Sequence, residues 1–151
     1  MLGQESEPRS ITEYFSADHR RIDKLIGDIC AMIEDGELER AEYSTGDLDA
    51  GLRRHIELEE QVLFRLFESH VQLVGPTTVM RKEHRQIEGW LDELRESLAE
   101  QSRQRASTAM AKLVQVLVQH NLKEEAVIYP RTDAALSPAE RSEALARLSG
   151  T

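Results

Sequence analysis

HIELEEQVLF, at positions 55–64, and HNLKEEAVIY, at positions 120–129, are two copies of one segment. Both keep the histidine, two adjacent glutamates and the valine. In each copy a His and a Glu stand four residues apart, His55 with Glu59 and His120 with Glu124. On a helix that spacing puts both on one face. The same faces carry apolar stripes: Leu48, Leu52, His55, Glu59, Val62, Leu66 in one and Met110, Leu113, Leu117, His120, Glu124, Val127 in the other. Every step is three or four residues, as in an amphipathic helix. A carboxylate in such a seam is anomalous, because burying it unpaired costs roughly several kcal/mol.

The duplication extends outward over the preceding helix. Asp18-His19-Arg20-Arg21-Ile22-Asp23 aligns with Glu83-His84-Arg85-Gln86-Ile87-Glu88 at the offset of 65 residues that also relates His55 to His120. His19 and His84 lie on stripes of their own: Phe15, His19, Ile22, Ile26, Ile29, Ile33 and Met80, His84, Ile87, Leu91, Leu94, Leu98. The chain reads as two repeated helical hairpins, each with one lone His and one His-x-x-x-Glu. The predicted fold is all-α, an antiparallel up-down-up-down four-helix bundle with a short C-terminal helix.

Punctuation in the sequence sets the expected limits. Ser10 with Glu13 forms a capping-box pattern opening a helix to about Asp35, which Gly36 stops. A second helix is expected from Thr45–Asp47 to about Val71, and a third from Pro76-Thr77 to about Gln101. The fourth should run from Arg105 to Tyr129, with Pro130 closing it. Ser137-Pro138-Ala139-Glu140 is a second capping box, opening a terminal helix over 137–148. One domain is expected over 1–151, its core within 11–130.

Two hairpins packed about a pseudo-two-fold axis would gather His19, His55, Glu59, His84, His120 and Glu124 in mid-bundle. Imidazole suits iron, copper and zinc, while carboxylates suit harder ions and can bridge two of them. Six mixed donors exceed the four of a closed zinc site and point to a dinuclear site with open positions. Ferritin-like Glu-x-x-His and peptidase-type His-Glu-x-x-His are both absent from the sequence.

Composition narrows the partners. Lys and Arg number 19 against 28 Asp and Glu, and the net charge of −9 argues against nucleic acid or an anionic membrane. Cys30, the only cysteine, excludes an internal disulfide and fits a reducing compartment. No apolar run approaches the ~18 residues of a membrane helix. The start, MLGQESEPRS, lacks a signal peptide's apolar stretch. A cytoplasmic location is expected.

The ordered motifs, with their flanking runs ADHRRID, HIELEEQVLF, KEHRQIE and HNLKEEAVIYP, resemble the hemerythrin-like, or HHE cation-binding, domains over about residues 11–148. The resemblance implies two non-haem iron ions, oxo- or hydroxo-bridged. His19 and His55 would bind one, His84 and His120 the other, and Glu59 and Glu124 would bridge them. Oxygen-carrying hemerythrins have a further histidine four residues after the helix-3 histidine, where this chain has Glu88. They also have Asp five residues after the helix-4 histidine, where Glu125 stands. One nitrogen ligand is therefore missing or replaced by oxygen, leaving a position open to water, oxygen, peroxide or nitric oxide. The implied function is binding and turnover of a small oxidant, as a catalase-like or nitric-oxide-consuming oxidoreductase. The alternative is a non-enzymatic sensor or carrier of oxygen or iron.

Other residues receive plainer readings. His70, ~16 Å along the helix from Glu59, is expected to be solvated, and Cys30 to be a buried inert thiol. The acidic runs Glu34–Glu39 and Glu57–Glu60, apart from Glu59, read as a solvated face. Phe64 and Tyr129 occupy equivalent places in the repeats and read as core or pocket wall, the Tyr129 hydroxyl being able to reach the site. Asp23 and Glu88 read as solvated or paired with arginines such as Arg20 and Arg85. Glu88 has a second reading, as a labile oxygen ligand or an acceptor orienting iron-bound water.

Overall fold

The computed structural model describes residues 7–150. Residues 1–6 and 151, and with them most of the start read for a signal peptide, lie outside the described residues. Among the described residues there is no strand. Helix α1 is Ile11–Glu34. Rod α2 covers 38–71 as helix Leu38–Leu58, a π-helical turn Glu59–Leu63 and helix Phe64–Val71. Helix α3 is Gly75–Ala99. Rod α4 covers 103–135 as helix Arg103–Lys123, a π-helical turn Glu124–Ile128 and helix Tyr129–Ala135. Helix α5 is Pro138–Ser149. Each rod packs on the next, and α1 also packs on α4, so the four long elements close on one another. No described helix is long and apolar enough to cross a membrane.

The helix ends follow local chemistry, with some departures from expectation. The Ser10 side chain accepts from Glu13 N as predicted, but Glu13 takes the N–H of Arg9, so the first capping box is only half formed. Asp133, from the far end of α4, completes the cap. Its two oxygens accept from Ile11 N and Thr12 N, both at 2.9 Å. The second box is complete, Ser137 and Glu140 each accepting the other's backbone N–H.

Rod α2 begins about two turns earlier than Thr45. That threonine is no cap: its hydroxyl donates to Ala41 O inside the helix, and the added turns are held by the fully buried Ala41. Pro130 does not close α4 either. In an unbroken α-helix its ring would press on the carbonyl four residues back. The wider π turn just before it, with Tyr129 N–H bonded to Glu124 O, relieves that conflict and the helix runs on to Ala135.

Two apolar clusters flank the middle of the bundle. One holds Ile22, Ile26, Leu52, Ile56, Ile87, Leu91, Leu113 and Leu117 among others. The other holds Ile11, Phe15, Leu63, Phe64, Phe67, Met80, Ile128 and Tyr129, closed over by Ala144 and Leu148 of α5. The stripes' four histidines fall between them.

Candidate metal centre

His19 and His84 come from α1 and α3, at the level where Phe15 and Met80 belong to one cluster and Ile22 and Ile87 to the other. His55 and Glu59 come from α2, His120 and Glu124 from α4. All six are buried, and Glu59, His84 and Glu124 have no exposure at all. Their donor atoms form two overlapping groups, His19, His55, Glu59, Glu124 and Glu59, His84, His120, Glu124. Within each group every donor atom lies within 4.8 Å of the others. The two carboxylates belong to both.

Nε2 of every histidine in the cluster points inward. His19 Nε2 is 3.2 Å from Glu124 Oε1, His55 Nε2 3.4 Å from Glu59 Oε1, His84 Nε2 3.1 Å from Glu59 Oε1, and His120 Nε2 3.1 Å from Glu124 Oε2. Each Nδ1 is turned outward to a second carboxylate. His55 meets Asp18 at 2.8 Å, His84 meets Glu60 at 2.7 Å, His120 meets Glu83 at 2.9 Å, and His19 meets Glu125 at 3.2 Å. Such a partner fixes the ring's orientation and tautomer, leaving Nε2 free as a lone-pair donor. The four outer carboxylates are chain neighbours of ligand candidates, so each adjacent pair serves two helices: one member faces inward and the other reaches across.

These contacts reset the protonation of the cluster. Burial opposes charging of His55, but Glu59 and Asp18 override it and hold its pKa up at about 10. Burial is likewise overridden at His84, which Glu124, Glu59 and Glu60 lift to about 11. His120 is also raised, by Glu124 against burial. Burial alone would raise Glu124, yet His120, His19 and His84 hold it well below the ordinary carboxylate range. Asp18 falls to about 2 under the same competition, with His55 and Arg21 outweighing burial. At neutral pH, protons on His55, His84 and His120 supply positive charge beside the buried Glu124.

The donor set fits a metal cation. His55 Nε2 and Glu124 Oε2 are buried with only the ion-pair contacts above and no well-formed hydrogen bond, an arrangement that a cation would satisfy. Two carboxylates and four imidazoles, mixed hard oxygen and borderline nitrogen, match first-row transition ions. A small cavity of about 10 Å³ adjoins the cluster, walled by Ile22, Leu52, Ile56, Ile87 and Leu117. It is about the size of one water molecule.

The other face is aromatic, walled by Phe64 and Tyr129 as expected, but brought there by π turns that the α-helical spacing does not foresee. Each π turn adds a residue to the helix and rotates the next segment by about 100°. The expected stripe positions Leu66 and Val127 are therefore only half-buried, while Phe64, Phe67, Ile128 and Tyr129 take the interior. The rotation aims Tyr129 into the cluster. Its hydroxyl lies 2.6 Å from Glu59 Oε2 and 3.0 Å from both Glu124 Oε1 and His19 Nε2. Phe64, its counterpart, stacks on His84 at 5.4 Å and 13° with no polar atom to offer.

Glu60 is not part of a solvated face: it bonds His84 and Arg85. Cys30 is half-buried rather than buried, and burial pushes its thiol up. His70 is exposed as expected, and it also bonds Glu140 of α5 at 2.8 Å, near the far end of α2. Glu88 faces away from the cluster, pairing with Arg85 at 2.8 Å and approaching Arg53 at 3.6 Å. Asp23 is exposed. The signal for the missed outer carboxylates was present in the repeat alignment, which keeps an acid before each lone His and after each ligand Glu.

An all-helical chain with a buried His/Glu cluster of this kind is of the cation-binding class. The Hemerythrin HHE cation binding domain family matches residues 10–132, and the chain belongs to that family. Comparison with curated proteins and with solved structures gives no match.

Proposed function

We propose that this chain is a non-haem di-iron protein that binds and turns over a small oxidant, with hydrogen peroxide first and nitric oxide or oxygen next. The observation that carries this reading is the sharing of Glu59 and Glu124 between two four-donor groups. One ion would take His19 and His55, the other His84 and His120, with the two glutamates common to both. Iron bound there would supply open coordination and reversible redox chemistry. Everything else is the chain's own work. Asp18, Glu60, Glu83 and Glu125 hold the imidazoles in register; Phe15, Phe64 and Tyr129 wall out bulk water. The cavity of about 10 Å³ beside the cluster leaves room for no more than a very small ligand.

Glu88 is engaged by arginines and no further imidazole is present in either group, which supports turnover over storage. Disproportionation of peroxide to water and oxygen also needs no outside reductant. The same reading takes 1–151 as one domain, with the four rods antiparallel in up-down-up-down order. The three-residue connections 35–37, 72–74 and 100–102 support that order. The low cysteine count and acidic charge support a cytoplasmic protein without nucleic-acid partners.

The test is peroxide consumption by the iron-loaded protein, followed by oxygen release at an electrode. Wild type should evolve one oxygen per two peroxides, and Glu124→Ala should not. A stable oxygenated species, surviving many minutes in air and releasing oxygen under vacuum, would replace turnover by the carrier reading.

A further inference from the structure

The two halves of the cluster share a donor set but not their surroundings. In the His19/His55 half, the Tyr129 hydroxyl touches Glu59 Oε2, Glu124 Oε1 and His19 Nε2. Those residues are three of the four a cation would use there. In the His84/His120 half the facing ring is Phe64, which presents only carbon.

A second difference points the same way. Three of the four outer carboxylates are held from behind by a cation: Asp18 by Arg21, Glu60 by Arg85 and Glu83 by Lys123. Glu125, behind His19, has no basic side chain on it among the described residues, is 43% exposed and stands 3.2 Å from Nδ1, the longest of the four. His19 is therefore the least firmly held imidazole, and it is also the one the phenol engages.

We propose that the cluster loads its two cations in order, the His84/His120 half first, and that the Tyr129 hydroxyl bars the His19/His55 half until the second ion displaces it. This order rests on the two-cation reading of the site. An ion entering the His19/His55 half must take His19 Nε2 and Glu124 Oε1, which lie 3.2 Å apart and both bond the phenol, leaving a buried hydroxyl to find a new partner. A hydrogen bond to a charged group is strong enough that its loss lowers affinity by roughly 10- to 100-fold. The His84/His120 half is faced by the other two oxygens, Glu59 Oε1 and Glu124 Oε2, each 3.1 Å from a histidine Nε2 and neither bonded by the phenol. Once filled, it withdraws charge from both shared carboxylates and loosens their hold on the phenol.

The experiment is titration of metal-free protein with cobalt(II), counting zero-, one- and two-ion species by native mass spectrometry. Wild type should pass through a dominant one-ion species at one equivalent. Repulsion between the ions weakens the second in any variant, so the diagnostic is the change on Tyr129→Phe, which keeps the ring's stack on Phe15 at 5.3 Å. That variant should bind its second ion roughly 10-fold tighter or more, with a smaller one-ion population. Phe64→Tyr gives a second reading that does not depend on the first variant's folding, and it should weaken the first ion. His84→Gln should lose the tight ion, whereas His19→Gln should keep it. Equal affinities in wild type, or a weaker second ion in Tyr129→Phe, would overturn the order and make the phenol a ligand or a bystander. Two ions would still bind in those cases. Binding that never exceeds one ion per chain would instead overturn the two-cation reading, and the loading order with it.

Discussion

The π turn at Glu59–Leu63 and the π turn at Glu124–Ile128 are the same device used twice, and they deliver different residues. Both begin at a ligand-type glutamate and both rotate the next residue's side chain into the bundle. The first turn brings Phe64 and the second brings Tyr129. A hydroxyl thus stands at one half of the cluster and only carbon at the other. A duplicated hairpin fixes the ion-binding donors in pairs, while divergence at the positions around them is free to make the halves unequal.

The largest way to break this comparison is to remove a residue that both halves share. Glu124→Ala should lose most of the metal from both halves, read as ions per chain by elemental analysis. Glu88→Ala should leave the metal content unchanged, because its carboxylate is turned to Arg53 and Arg85. The next effect is at the outer carboxylates. Glu60→Ala frees the His84 ring and should cost about 10- to 100-fold in metal affinity. Glu125→Ala, on the exposed and weakly held contact to His19, should cost less, as measured by competition with a chelator. An equal loss in both would remove the asymmetry between the halves.

The acid–base behaviour of the cluster sharpens the comparison. His55 and His84 are raised in the folded protein, to about 10 and about 11, from an ordinary 6.5. Raised histidines stabilise the fold fully below the unfolded value and lose that contribution as pH climbs through the folded one. Metal-free protein should therefore melt at progressively lower temperature from about pH 6.5 to beyond pH 10. Metal must expel these protons, so its affinity should rise over the same range. A metal-free melting temperature flat across that range would contradict the cluster's charge balance. The smallest effect is at His70, whose bond to exposed Glu140 ties α5 to the end of α2. His70→Ala should keep full metal content and shift melting by little, and only where His70 is protonated.

The six ion-binding candidates were legible because duplication and helical spacing act on the same residues. Glu59 and Glu124 stand out as acids on apolar stripes, and the shared offset ties them to four histidines. The part hidden in the sequence lies just past those glutamates. An α-helical count of three and four passes over position five, so Val127 and Leu66 looked interior and Tyr129 looked marginal. A π turn makes five the returning position, and nothing in EEQVL or EEAVI announces one. Pro130 carried a partial signal: a proline that continues a helix needs a wider turn before it. The early start of α2 was hidden for another reason. Leu38–Tyr43 is charged and little striped, and the turn is secured by packing at Ala41 rather than by a cap.

The central claim is that two cations share Glu59 and Glu124. The most direct measurement is iron per chain in protein loaded anaerobically and then oxidised, taken together with its ultraviolet–visible spectrum. Two irons per chain with the near-ultraviolet absorption of bridged ferric ions is the expected result. One tightly held zinc per chain, with no second ion taken up at any pH, would contradict it.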